Sequence, residues 1–186
     1  MIIGITGRSG AGKSYLSEIL AQKLDLIHID IDKISHEVLS FDESKKFLLN
    51  EFGSEIFDNG VLNRKLLGKI VFSNQEKLNK LNNFCQIEME KKIDEIIASS
   101  KKSIILDYAL LCGLKQFDIC DVKILLKADL DTRYSRVKER ENITKEYFIS
   151  RDNSLSDFEE KHVDYIFHHI TESETNTLVE ELKSKI

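Results

Sequence analysis

Met1-Ile-Ile-Gly-Ile-Thr-Gly7-Arg-Ser-Gly-Ala-Gly12-Lys13-Ser14 is the stretch that decides the fold. Its first six residues read as a buried strand, and Gly7–Gly12 break that strand. From Ser14 to Leu24 the apolar residues Leu16, Ile19, Leu20 and Leu24 recur with a helical period. Between strand and helix, Gly7-Arg-Ser-Gly-Ala-Gly-Lys13-Ser14 fits G-x-x-x-x-G-K-[ST], and the chemistry accounts for each fixed position. Gly7 and Gly12 let the backbone turn tightly, so that successive N–H groups point at one phosphate. The helix beginning there adds its positive end. Lys13 reaches the β- and γ-phosphates of a nucleotide, and the Ser14 hydroxyl is a magnesium ligand. By composition alone such a match falls in a chain of this length at roughly the one-per-cent level.

Outward from this loop, short apolar runs alternate with longer amphipathic ones, the pattern of βα units around a parallel sheet. Further strands are expected at Leu26–Ile29, Ser103–Leu106, Val122–Leu126 and Tyr165–Phe167. The interval 33–100 is too long for one crossover helix and reads as an inserted helical subdomain for a second substrate. Its helices are expected near Ser44–Phe52, Arg64–Phe72 and Asn74–Ser99, with turns at Gly53 and Asp58-Asn59-Gly60. Ser73-x-x-Glu76, Ser156-x-x-Glu159 and Thr171-x-x-Glu174 fit the capping box. The whole, residues 1–186, reads as one α/β domain.

With 186 residues, 27 Lys+Arg against 32 Asp+Glu and a net charge of −5, the chain is no broadly basic nucleic-acid coat. No apolar run is long enough to span a bilayer, and the start does not read as a secretory signal. Cys85, Cys112 and Cys120 lack C-x-x-C spacing and read as buried reduced thiols of a cytoplasmic protein. There is no proline. An Asn-Lys-x-Asp run, which guanine-reading switch proteins carry, is absent.

Asp30-Ile-Asp32 closes the second strand, at the sheet edge where open α/β folds bind ligands. Strand alternation would put both carboxylates on one side, one as proton acceptor and one to organise magnesium or substrate; a helix N-cap is the competing reading. Asp107 ends Ser103-Ile-Ile-Leu-Asp107, like the acidic strand end that holds a magnesium-bound water, or else forms a turn. Arg133, Arg136 and Arg140 share one face of a helix expected to begin near Asp131. Beside a phosphate loop such a stripe marks a lid, residues 129–155, over the transferring phosphoryl group; without one it would be a solvated surface. The histidines show no metal-ligand spacing.

With these pieces in order the chain resembles the dephospho-coenzyme A kinase family over about residues 1–170. The resemblance is carried by the opening strand and loop, Asp30-Ile-Asp32, Phe52-Gly53, Asp58-Asn-Gly-Val-Leu-Asn-Arg64, Ile70-Val-Phe72, Leu106-Asp-Tyr-Ala-Leu-Leu111, Arg136-x-x-x-Arg140, Arg151 and Asp164-Tyr-Ile-Phe. It implies a P-loop three-layer fold with a parallel central sheet. It also implies ATP as donor, magnesium (Mg2+) as cofactor, and the ribose 3′-hydroxyl of dephospho-coenzyme A as acceptor.

The residues the resemblance singles out are Asp32 as base, with Lys13, Arg136 and Arg140 as its catalytic partners. ATP-binding positions are Gly7, Arg8, Ser9, Gly10, Ala11, Gly12, Lys13, Ser14 and Tyr15, with His169 where the family has an Asn near the adenine. Asp32, Arg64, Asp107 and Leu110 are the acceptor positions, and Ser14 and Asp107 the metal positions. The chain departs from the family at Gln86-Ile87 (His-Pro), Ala109 and Gly113 (Pro and Glu), His36 (Arg) and Leu155 (Gln), most of them positions that bear on the acceptor. A cytoplasmic monomer without nucleic acid or membrane is expected. The alternatives are a kinase for another nucleoside or nucleotide, and a nucleotide-binding regulator without phosphotransfer.

Overall fold

The computed structural model describes residues 1–153 and 163–186. The Ser156–Glu159 capping box, Leu155 and the end of the expected lid region lie outside the described residues. The chain divides into two compact units, one of Met1–Asp32 with Ile97–Ile186 and one of Lys33–Ile96.

The first unit is built on a five-stranded parallel sheet. Strands β1 (Ile2–Thr6), β2 (Ile27–Asp30), β5 (Ile104–Asp107), β6 (Val122–Lys127) and β7 (Tyr165–His168) lie in the order β2-β5-β1-β6-β7. β1 is central, with Ile2 opposite Ile104 on one side and Ile3 opposite Val122 on the other. Both neighbours are apolar runs, as expected of strands covered on both faces. Ile3 and Ile5 point into a core shared with Ile105, Ile124 and Leu126. Leu16 and Leu20 of α1 (Lys13–Leu24) and Leu178 and Leu182 of α8 (Glu172–Lys183) join the same core. Helix α8 starts with both arms of its capping box made, Glu174 N to Thr171 Oγ1 at 3.2 Å and Thr171 N to Glu174 Oε2 at 2.8 Å.

The register brings Asp30 opposite Asp107 at the C-terminal ends of β2 and β5. Helix α2 (Ile31–Glu37) begins at once, so Asp32 is its second residue. This corrects the expectation that strand alternation aligns Asp30 and Asp32, because the strand has already ended at Asp30 and a helical turn carries the second carboxylate. Beyond β6, α6 (Leu130–Glu141) is capped by Asp129, whose Oδ1 accepts from Thr132 N at 2.8 Å. Helix α7 (Lys145–Asn153) follows after a left-handed Asn142.

The second unit contains α3 (Asp42–Phe52), a hairpin of β3 (Phe57–Asp58) and β4 (Val61–Leu62), α4 (Arg64–Phe72) and most of α5 (Gln75–Ser99). Leu48, Phe52, Ile56, Leu67, Val71 and Leu81 form its core, and the Phe47 and Phe84 rings stack at 3.9 Å. Asn59 and Gly60, both at positive φ, make the two-residue hairpin turn. Asn63 caps α4 through Leu66 N at 3.0 Å. The box expected at Ser73 is not formed. Helix α5 starts one residue later in frame, so Asn74 is its cap, accepting from Lys77 N at 3.1 Å. Ser73 Oγ instead donates to Ile70 O at 2.9 Å.

All three cysteines are free thiols, but only Cys120 is buried. The expectation of three buried thiols is corrected for Cys85 and Cys112, which are half-buried. Burial pushes the Cys120 thiol up to about 12, so it stays protonated.

Candidate active site

The phosphate loop leaves the C-terminal end of β1 between its neighbours. Gly7, Gly10 and Gly12 have φ of 143°, 81° and 104°, values an L side chain rarely adopts. Close approach adds a second demand at two of them: a Cβ on Gly7 would collide with the Leu126 carbonyl, and one on Gly10 with the backbone of Arg133. Ala11 N donates to Arg8 O at 3.0 Å, closing the turn inside the loop. Helix α1 has no side-chain cap and no acidic residue in its first turn, so no side chain of its own competes for its positive end. Ser14 and Tyr15, at the start of α1, are exposed.

Lys13 is only 8% exposed. Burial pushes its ammonium below the usual lysine range, while Asp107 first and then Asp32 and Asp30 pull the other way, and Arg140 adds to the lowering. Asp30, Asp32, Asp107 and Arg140 therefore all lie within electrostatic reach of Lys13. Asp32 is exposed and Asp107 is 3% exposed. Tyr108 stands by the same group: burial first and the Asp32 carboxylate second hold its hydroxyl above the usual phenol range. Its backbone N donates to Ile5 O at 3.1 Å, and Thr6 Oγ1 donates to Ala109 O at 3.2 Å. These bonds tie the segment after β5 to the strand that ends in the loop. Leu110 heads the short helical turn Leu111–Gly113 that follows.

The three arginines of α6 share a face but do different things. Arg136 is exposed and donates from NH1 to Gly10 O at 3.0 Å. Arg140 is exposed and pairs with the neighbouring Glu141. Arg133 is buried, against any reading of the stripe as solvated surface; its guanidinium grips both oxygens of Asp152 at 2.6 and 2.8 Å. His169 follows β7 at the same sheet edge with φ of 55°, its Nε2 3.0 Å from Asp129 Oδ2. Arg64 belongs to the helical unit, where its NH2 donates to His36 O at 3.2 Å. The sequence reads His28 as a surface or packing residue and does not single out Tyr108 or Asp152. Tyr108 lay within a quoted run and was the one with a signal to find.

The possible metal donors are a hydroxyl, Ser14, and carboxylates, Asp107 foremost, all hard oxygens. Among the described residues no group of three or more His, Cys, Asp or Glu could hold a metal by itself. Hard oxygen donors of this kind fit magnesium, which takes one or two protein oxygens and completes its shell with phosphates and water.

A parallel sheet with a G-x-x-x-x-G-K-S loop at its central strand, and arginines from a following helix beside it, defines a P-loop kinase. A family model described as dephospho-CoA kinase matches residues 1–172. The chain belongs to the dephospho-CoA kinase family. It is 36% identical over 157 residues to dephospho-CoA kinase of Fusobacterium nucleatum, covering 78% of this chain and 76% of the relative. Among solved structures it resembles TT1252 from Thermus thermophilus (TM-score 0.79, 23% identity, 100% of this chain and 97% of the other). It also resembles dephospho-CoA kinase from Campylobacter jejuni (TM-score 0.68, 24% identity, 99% and 98%).

Proposed function

We propose that the protein transfers the γ-phosphoryl group of ATP to the ribose 3′-hydroxyl of dephospho-coenzyme A, giving coenzyme A and ADP. The observation that carries this reading is Lys13, buried at the phosphate loop and within electrostatic reach of the exposed carboxylate of Asp32 and of Arg140 from α6. The loop N–H groups and Lys13 bind the β- and γ-phosphates, and Arg136 and Arg140 add positive charge from the side of α6.

Asp32 accepts the proton of the 3′-hydroxyl as its oxygen bonds to the γ-phosphorus; the bond from that phosphorus to the β–γ bridging oxygen breaks, and ADP leaves. Exposure suits Asp32 to this task, since the acceptor must reach it from solvent. Ser14 and Asp107 would hold magnesium, which supplies charge neutralisation on the phosphates when bound. Arg64 of the helical unit and Leu110 bind the acceptor. Gly7–Tyr15 and His169 serve ATP. The protein acts as a monomer in the cytoplasm, without nucleic acid or membrane; among the described residues no helix is long and apolar enough to cross a membrane.

The test offers purified protein MgATP with dephospho-coenzyme A, uridine, cytidine or AMP, follows ADP, and identifies the product by mass. ADP formation dependent on dephospho-coenzyme A, with a 3′-phosphorylated product, is expected. Turnover confined to AMP or a nucleoside would overturn the proposal.

A further inference from the structure

We infer that Asp152 is a positioning residue, fastening the phosphate loop and helix α6 to one buried point and so setting where Arg136 stands over the loop. Asp152 lies in the last turn of α7 and is 8% exposed. Three loop residues in a row meet the α6–α7 pair. Arg8 donates from NH1 to Asp152 O at 2.5 Å and lies 3.4 Å from its Oδ1. Arg151 NH2, beside Asp152, reaches Ser9 Oγ at 3.5 Å while its NH1 donates to Glu141 Oε2 at 2.8 Å. Gly10 packs on the backbone of Arg133 and accepts from Arg136.

Arg133 is the other half of the fastening. It is 6% exposed, bidentate on the Asp152 carboxylate, bonded from Nε to Ala128 O at 3.1 Å, and 5.6 Å from the Phe148 ring centre. A bidentate arginine–carboxylate pair fixes orientation as well as distance. Two apolar side chains of similar volume would hold α6 against α7 equally well and without the desolvation cost of two ions. What apolar side chains would lack is the second cation, Arg8, which belongs to the loop. The same carboxylate therefore couples loop to helix as well as helix to helix. Consistent with this, hydrogen bonds from Arg133 hold the Asp152 carboxyl below the usual carboxylate range, with Arg8 contributing.

The inference rests on the kinase reading for its consequence, but its test reads nucleotide binding directly. Two variants are compared with wild type, Asp152→Asn, which is nearly isosteric, and Arg133→Leu with Asp152→Leu, which removes both charges together. Calorimetric titration with MgADP should show affinity weakened by about tenfold or more in each, as a loop displaced by a fraction of an ångström loses its aligned donors. The KM for dephospho-coenzyme A should stay within about twofold while kcat falls, and Asp152→Glu should recover part of both losses. Unchanged MgADP affinity in either folded variant overturns the inference, and so does failure of both to fold, which would make the pair a folding requirement instead. Wild-type protein that binds MgADP yet never phosphorylates dephospho-coenzyme A would defeat the kinase reading alone, leaving the MgADP comparison to decide on Asp152.

Discussion

His28 Nε2 stands 3.3 Å from Asp107 Oδ2, reaching across from β2 to the neighbouring strand β5. In the tautomer with its proton on Nε2, the ring donates to this carboxylate oxygen. Partners of this kind orient a ligand oxygen and hold it ready. His28→Leu should therefore raise the magnesium concentration for half-maximal turnover by about tenfold, within the range for losing such a partner. A magnesium titration at fixed ATP measures this. An unchanged midpoint would leave Asp107 without a metal role or His28 without influence on it.

Lys13 should trade stability for function. Because burial lowers its pKa in the folded protein, folding favours the neutral amine, and the charged form is a standing cost at neutral pH. That cost is relieved as pH rises through the folded-state pKa toward the ordinary lysine value of about 10.4. Lys13→Met should lose nearly all turnover yet melt at higher temperature than wild type without nucleotide. The gap should narrow as pH is raised through that window. Melting curves from pH 7 upward, beside an ADP-release assay, check both halves; a Met variant less stable at pH 7 contradicts the account.

Asp32→Asn keeps shape and hydrogen bonding but cannot take a proton. It should bind both substrates near wild-type affinity while kcat falls by roughly 10²–10⁴-fold. Steady-state kinetics with calorimetric titration by dephospho-coenzyme A separates the two. Loss of binding with normal turnover would make Asp32 an anchor, and a dead Asp30→Asn beside an active Asp32→Asn would exchange their roles.

Arg136→Ala and Arg140→Ala should each lower kcat by about 10²-fold, the scale of one lost electrostatic donor. Circular dichroism should be unchanged, since both side chains are exposed. Small, equal effects on kcat would return these two residues to the solvated surface.

The sheet, its five strands and the loop were legible because each rests on local pattern: an apolar run, a glycine turn, a helical period. Asp32 was misplaced by a single residue of strand length, which no period resolves when a strand runs straight into a helix. The β3–β4 pair escaped as strands because two residues cannot display alternation, although Asn59-Gly60 announced the turn. Asn74 and Ser73 both have capping side chains, and only the frame of α5 chooses between them. Arg133 and Asp152 were invisible as a pair for a different reason. They sit nineteen residues apart on two helices, and their meeting is a product of packing that neither helix encodes alone.

The central place of β1 has a consequence for the order in which the protein can be made. A ribosome releases β1 early, but its two hydrogen-bonding neighbours begin only at Ile104 and Val122. Residues 33–96 carry their own contiguous core and can compact as they emerge. The opening strand must meanwhile remain without its sheet partners, an apolar edge exposed until Ile104 has emerged. Its loop waits longer still, because Gly10 takes its shape against Arg133. A nascent chain stopped before α6 has the whole nucleotide-binding motif written in it and lacks the surface that shapes it.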